Sequence, residues 1–291
     1  MPIDLAYLQQ WIGRSERVSD TLSLTPMAAL AATLDRDDPP VASGDALPPL
    51  WHWLYFLPVH RQSLVGADGH PKRGAFLPPV ELPRRMWAGS QLTFSRALKA
   101  GDAITRVSTI EDVTHKRGRS GDLVFVRVLH QISDATGVAG VAGVAITERQ
   151  DIVYRDHPAA GETPPAPQLA PDGARWTREI HPDPVLLFRY SALTLNGHRI
   201  HYDRPYAIEH EGYKGLVVHG PLLATLLLDL LRRERPEATV AAFSFRAMSP
   251  VIDTAPFFVC GRPEGDDGTT VKLWIAGSDG TSRMEASAVL A

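Results

Sequence analysis

Asn196, His198 and His201, three side chains that can move protons or hold a water, lie within six residues of one another. Tyr202 and Asp203 follow directly, and the stretch YSALTLNGHRIHYD is flanked by apolar segments. Imidazole titrates close to neutral pH, so either histidine can give or take a proton in a reaction. Two other readings of the same residues stand beside that one. An Asx-type turn would use Asn196 to satisfy its own backbone. A metal site would use His198 and His201 as ligands, although no third ligand follows at a recognisable spacing.

Other chemistries have no support in the sequence. There is no G-x-S-x-G, no H-E-x-x-H and no P-loop. Gly137, Gly140 and Gly143 have the wrong spacing for a dinucleotide fingerprint and read as a small-residue strand lying close to another backbone. Lys and Arg total 30 against 33 Asp and Glu, a net charge of −3, which argues against a general nucleic-acid binder. The single Cys260 excludes an intramolecular disulfide and any cysteine-cluster metal site. The longest apolar run, Leu222 to Leu231, contains Asp229 and is too short to span a bilayer. The N-terminus has no apolar run of signal length, so a soluble cytoplasmic protein is expected.

The elements that must position these residues divide into two sets. Residues 156–183, with six prolines from Pro158 to Pro182, read as an extended linker between residues 1–155 and residues 184–291. In the first part Thr25 is the expected helix cap, with Pro26 at the first helical position. Residues 47–83 look like a long irregular excursion. The strand-like runs SQLTFSRAL, DAITRVSTIEDVTHK, DLVFVRVLHQIS and GVAGVAITERQDIVYR follow. The second of these does not alternate cleanly, because Ile104, Val107, Ile110 and Val113 recur every three residues. The second part opens with PVLLFRYSALT and continues through the histidine stretch to a short strand, GLVVHG. Next comes LLATLLLDLLRRER, apolar around almost its whole circumference, and then the strand signals TVAAFSFRAM, APFFVCGRPE, TVKLWIAGS and SRMEASAVLA. A helix that is apolar all round must be wrapped on several sides. One curled antiparallel sheet can do so, in the hot-dog arrangement. The expected fold is therefore α+β, a double hot dog with a central helix in each half.

Residues Asn196-Gly197-His198-Arg199-Ile200-His201-Tyr202-Asp203 resemble the motif of the MaoC-type, or (R)-specific, enoyl-thioester hydratases, in which Asp and His are five positions apart. Asn196 stands at the Asp position and His201 at the His position. VVHGPLLATLLLDL is similar to the strand, turn and helix that follow that motif. WHWLYFLP and DGHPKRGAFLPPVELPRRMWAGS resemble the fused dehydratase-like half of the subgroup that contains mesaconyl-C4-CoA and itaconyl-CoA hydratases and mitochondrial-type 3-hydroxyacyl-thioester dehydratases. This resemblance implies hydration of an α,β-unsaturated acyl-CoA without cofactor, coenzyme A being part of the substrate. It implies His201 as base, Asn196 orienting the water, and an oxyanion donor at Gly220 or Leu222, since Pro221 has no N–H. A substrate carboxylate would need a cation from Arg84, Arg85, Arg199 or His198, and Arg246 could serve the CoA phosphates. Uncharged acyl thioesters, or acyl-CoA binding without catalysis, are the alternatives. By analogy the sheets could also pair edge to edge in a homodimer.

Overall fold

The computed structural model describes residues 3–118, 121–134, 143–156, 166–265 and 267–291. Gly137, Gly140 and residues 157–165 of the Pro-rich stretch lie outside them. Ten strands form one antiparallel sheet. They are β1 (Ser15–Thr21), β2 (Arg84–Phe94), β3 (Ala103–Gly118), β4 (Gly121–Asp134), β5 (Val144–Arg155), β6 (Trp176–Ile180), β7 (Val240–Ala247), β8 (Phe257–Glu264), β9 (Thr270–Gly277) and β10 (Ser282–Leu290). Their order is β1-β3-β4-β5-β2-β7-β10-β9-β8-β6. Read outward from the middle, both halves run second, fifth, fourth, third and first strand. The chain is thus a structural repeat with little sequence identity between its copies. β2 and β7 make the seam, from Gly89 opposite Arg246 to Thr93 opposite Ala242. Only glycine fits at position 89, because a Cβ there would lie 2.3 Å from the Phe245 carbonyl oxygen.

The helices are α1 (Leu5–Leu8), α2 (Leu24–Thr33), α3 (Pro184–Leu193) and α4 (Gly220–Glu234). Every residue of α4 from Leu222 to Leu231 is buried, and the helix packs on β6, β8, β9 and β10. This is the wrapped helix its apolar circumference demands. The charge inside it, Asp229, accepts from Arg36 Nη1 (2.6 Å), Arg178 Nη1 (2.8 Å) and Arg233 Nε (2.8 Å). Arg36 comes from the chain just after α2, so the buried carboxylate also ties the two halves together.

The first half departs from the expected fold. α2 and α3 occupy the same place in the repeat, after the first strand, but among the described residues nothing in the first half corresponds to α4. Between α2 and β2 the chain has only single 3-10 turns, at Trp51–Leu54 and Gln62–Leu64. Prolines at 39, 40, 48, 49 and 58 deny that segment a continuous helix. It is held to the sheet instead by buried Glu148, which accepts from Trp53 Nε1 (3.0 Å) and Ser90 Oγ (2.8 Å).

Four local expectations change as well. α2 starts at Leu24 after Ser23, not after Thr25, and Pro26 sits in its first turn, where a missing N–H costs no hydrogen bond. GLVVHG is not a strand; Val217 makes only an isolated bridge to Ile252. Residues 156–183 are not linker throughout, because Trp176–Ile180 forms edge strand β6 against β8, with Trp176 and Ile180 buried. The irregular period of β3 comes from a bulge between Ile110 and Asp112, which leaves Ile110 and Val113 both buried, three residues apart. Among the described residues no helix is long and apolar enough to cross a membrane.

Candidate active site

α3 ends at Leu193, and the chain reverses through Leu195, whose φ is +47°. The Asn196 N–H donates to the Ser191 carbonyl (2.8 Å), and Asn196 Oδ1 accepts from the His198 N–H (3.0 Å). Asn196 therefore makes an Asx turn, and any part in orienting water falls to what its amide has left over. A 3-10 turn, Arg199–His201, follows and carries His201 into the interior. The His201 Nδ1–H donates to the Val217 carbonyl (2.7 Å), which fixes the tautomer and leaves Nε2 as an acceptor.

Four imidazoles gather at this point. His219, the residue before α4, stacks on His201 with ring centroids 3.7 Å apart, and its Nε2 meets Ser191 Oγ at 2.8 Å. His198 stands edge-on to His201 at 5.5 Å, and His70 packs on His198 at 4.1 Å. His70 arrives from the first half. Residues 65–71 form a small hairpin with Val65 bridged to Pro71, and its tip lies on the Asn196–His198 turn. The Asp68 carbonyl accepts from the Arg199 N–H (2.9 Å), and the Ala67 carbonyl accepts from Arg199 Nη1 (3.1 Å). Gly69 has φ +90°, and a Cβ there would lie 1.7 Å from the Gly197 carbonyl oxygen. Close docking thus needs glycine for both its backbone and its missing side chain.

Burial sets the electrostatics. It pushes His201 down to about 4, against the Val217 hydrogen bond, which favours the charged form. Burial, then His70 and His201, push His198 down to about 2, and His219 is also held well below the usual range. Burial lowers His70 too, with Asp68 acting in the opposite sense. Burial would raise the Asp68 carboxyl, but hydrogen bonds from His70 outweigh it and hold the group well below the usual carboxylate range.

Of the arginines considered, Arg84 and Arg199 are committed to carboxylates, Arg246 lies elsewhere, and Arg85 interacts with Tyr154. Arg199 is bound to Asp203 (2.7 Å) and lies over Tyr206. Arg84 faces Glu211 (3.5 Å) and lies over Tyr213. Arg246 is on the sheet seam, opposite Gly89 and Glu285, and lines a separate open cleft of about 880 Å³. Arg85, opposite Tyr154 in the sheet, acts electrostatically on His70 and His198 and has no carboxylate within ion-pair distance among the described residues. At the start of α4, the N–H groups of Gly220 and Leu222 make no hydrogen bond to described residues, and a Cβ on Gly220 would meet nothing within 4 Å. The Leu222 side chain belongs to the core.

The structure thus brings together His198, His201 and the Gly220 end of α4, with Arg85 near enough to act electrostatically on His198. It leaves Arg84 and Arg199 in structural pairs and Arg246 elsewhere. Asp68, His70, Ser191 and His219 were not singled out from the sequence. The nearest signals were the DGHP and VVHGP segments, which match the family without marking which side chain points inward.

Two curled half-sheets with one sheathed helix, and histidines beside free N–H groups at that helix's start, define a double hot-dog protein of the acyl-thioester hydratase and dehydratase class. A MaoC-like dehydratase of known structure superposes with a TM-score of 0.72 at 14% identity, over 97% of this chain and 99% of that one. A Mycobacterium tuberculosis protein with a double hot-dog fold gives 0.59 at 14%, over 96% of each chain. The family profile of hydroxyacyl-thioester dehydratase type 2 matches residues 50–253. Mesaconyl-C(4)-CoA hydratase of Chloroflexus aurantiacus is 46% identical over 280 residues, 96% of each protein. The chain belongs to the hydroxyacyl-thioester dehydratase type 2 family, and it is an enzyme of that class.

Proposed function

We propose that the protein adds water to mesaconyl-C4-CoA, a C5 dicarboxylic enoyl thioester, to give citramalyl-CoA. The observation that carries this is His201, buried, with Nδ1 pinned by Val217 and Nε2 open, beside the residue that leads into α4. His201 Nε2 accepts a hydrogen bond from the attacking water and orients it. The oxygen bonds to the β carbon, and the thioester oxygen, gaining enolate charge, takes hydrogen bonds from the Gly220 or Leu222 N–H, with the α4 dipole adding favourable potential. The water's proton then reaches the α carbon through an imidazole, so one water supplies both groups that add.

The free carboxylate of this substrate is on the β carbon, next to the point of attack. A cation for it must therefore lie near the histidines, and Arg85, which acts electrostatically on His70 and His198, is the candidate. Itaconyl-CoA, which leads to the same product, is the second substrate on this reading. The test is a spectrophotometric hydration assay over mesaconyl-C4-CoA, itaconyl-CoA and crotonyl-CoA. Mesaconyl-C4-CoA should be preferred, His201→Ala should abolish turnover with the fold intact, and Arg85→Gln should weaken the dicarboxylic substrate alone. Equal turnover of crotonyl-CoA would reassign the enzyme to uncharged acyl chains. Thermal stabilisation by CoA esters without any change in enoyl absorbance would make it a binding protein.

A further inference from the structure

We propose that the carboxylate missing at position 196 is restored from the other half of the chain, Asp68 positioning His70 and His70 taking the proton of the attacking water. The inference rests on the hydratase reading above and names the acid–base group within it.

A buried imidazole that accepts a proton becomes a buried cation and needs a counter-charge. His201 has only the Val217 carbonyl, and His219 has the Ser191 hydroxyl. His198 has no hydrogen-bond partner for its ring among the described residues. Of the four, His70 alone hydrogen-bonds a carboxylate among the described residues. Asp68 Oδ2 is 3.3 Å from His70 Nδ1, and Oδ1 accepts the His70 backbone N–H at 3.0 Å. A carboxylate can only accept, so His70 carries its proton on Nδ1 and presents Nε2 as a lone pair, as in other carboxylate-oriented histidines that act as bases. His70 packs on His198 at 4.1 Å and His198 meets His201 at 5.5 Å, so the three rings form one contiguous cluster that one water can serve.

The step balances. His70 Nε2 takes a proton from water as the oxygen bonds to the β carbon and the double-bond pair moves toward the thioester oxygen. His70 then returns that proton to the α carbon and is neutral again, and Asp68 stays ionised throughout. The charged groups facing His70 are Asp68 in its favour and Arg85 and Arg73 against it, with His198 neutral alongside. A substrate carboxylate on Arg85 would remove part of that opposition at the moment of reaction. Nitrogen and oxygen atoms of Asp68, His70 and His198 also lie within 4.8 Å of one another. The same two guanidinium groups oppose a cation there, which favours proton handling over metal binding.

Asp68→Asn separates the proposed role from a structural one. The amide oxygen still accepts the His70 N–H and keeps the hairpin turn, while the charge is lost. We expect kcat for mesaconyl-C4-CoA to fall by at least about 10²-fold with KM little changed. The acid limb of kcat/KM should move to lower pH, because His70 loses the group that favours its charged form. Asp68→Glu should recover part of the rate, and nitrogen NMR of His70 should lose the fixed Nδ1–H tautomer in Asp68→Asn. If Asp68→Asn does not fold, His70→Gln must give the same loss of kcat. Wild-type kcat and an unmoved acid limb in Asp68→Asn, with an active wild-type enzyme, would overturn this inference alone. Wild-type protein inactive on every enoyl-CoA would overturn the hydratase reading and this inference with it. Activity lost to EDTA and restored by zinc would make the trio a metal site and likewise overturn it.

Discussion

Gly69→Ala tests whether the hairpin must touch the histidine turn for catalysis. A methyl group at position 69 would lie 1.7 Å from the Gly197 carbonyl oxygen, 2.6 Å from its carbon and 3.2 Å from His198 Cα. The first two distances are inside any sustainable contact, and both atoms are backbone, so no side chain can swing away. The tip must retreat by more than about 1 Å before ordinary packing distances return. That retreat stretches the 2.9 Å hydrogen bond from the Arg199 N–H to the Asp68 carbonyl and draws His70 off His198. A misplacement of about 1 Å in a reacting group can cost about 10²-fold in rate. The left-handed backbone adds about 1–2 kcal/mol of strain for any residue with a Cβ. Gly74→Ala is the control, since Gly74 has φ +92° but its nearest contact would be Pro79 Cβ at 3.6 Å. Hydration kinetics and urea unfolding on both variants should give similar stability losses, with a kcat drop of about 10²-fold for Gly69→Ala only. Wild-type kcat in Gly69→Ala would refute the composite site. An equal drop in Gly74→Ala would show that backbone strain, not docking, is responsible.

Two further outcomes concern stability. Asp229→Asn leaves Arg36, Arg178 and Arg233 around a neutral group in the core, and breaking such a buried pair costs about 3–5 kcal/mol, read as a lower urea midpoint. A shift near zero would mean that water already reaches the cluster. The imidazoles of the site make the fold acid-sensitive. His201 is pushed to about 4 and His198 to about 2, both below the unfolded value, so the unfolded chain binds more protons as pH falls from about 6.5 toward 4. Stability is therefore full above that window and declines through it, by about 1.4 kcal/mol per pH unit for each such group. His198→Gln should remove one proton's share of the slope in urea midpoints, and a slope identical to wild type would contradict the neutral, half-buried His198.

The parts of this protein that could be read from sequence are those in which one element carries its own pattern. α4 is apolar on all sides and had to be sheathed, and the double hot dog followed from it. Asn196 to His201 lie within one turn, so their proximity was guaranteed by the chain. The first half was harder because it keeps the strand order of the repeat but replaces the central helix with the Pro-rich segment between α2 and β2. Composition marks that segment as irregular and does not say where it goes. Asp68 and His70 are therefore invisible as site residues, being separated from His201 by five of the ten strands and brought to it by backbone contacts of Gly69 with Gly197. Arg84 and Arg85 could not be told apart by sequence either. In an alternating strand they point to opposite faces, one toward Glu211 and the other toward the histidines.

The loss of the first half's helix and the change of Asp to Asn at 196 have one physical explanation. A hot-dog half that wraps its own helix has its concave face filled by that helix. Without that helix, the chain between Leu34 and Pro83 has length to spare, and the Asp68–His70 hairpin reaches the second half. Once a carboxylate arrives by that route, a second one at position 196 would be redundant. It would add a negative charge on the turn that the Asp68 hairpin touches, where two like charges raise each other's pKa and compete for protons. An amide at 196 avoids that repulsion and still accepts the His198 N–H that shapes the turn. Asn196→Asp should then fail to improve the enzyme, although it restores the motif of the wider family. It should raise the pH at which kcat/KM falls on the acid side, because an added negative charge favours protonation of His70. A variant that gained turnover with an unmoved acid limb would show that the two carboxylates act independently, and that the hairpin is not a replacement.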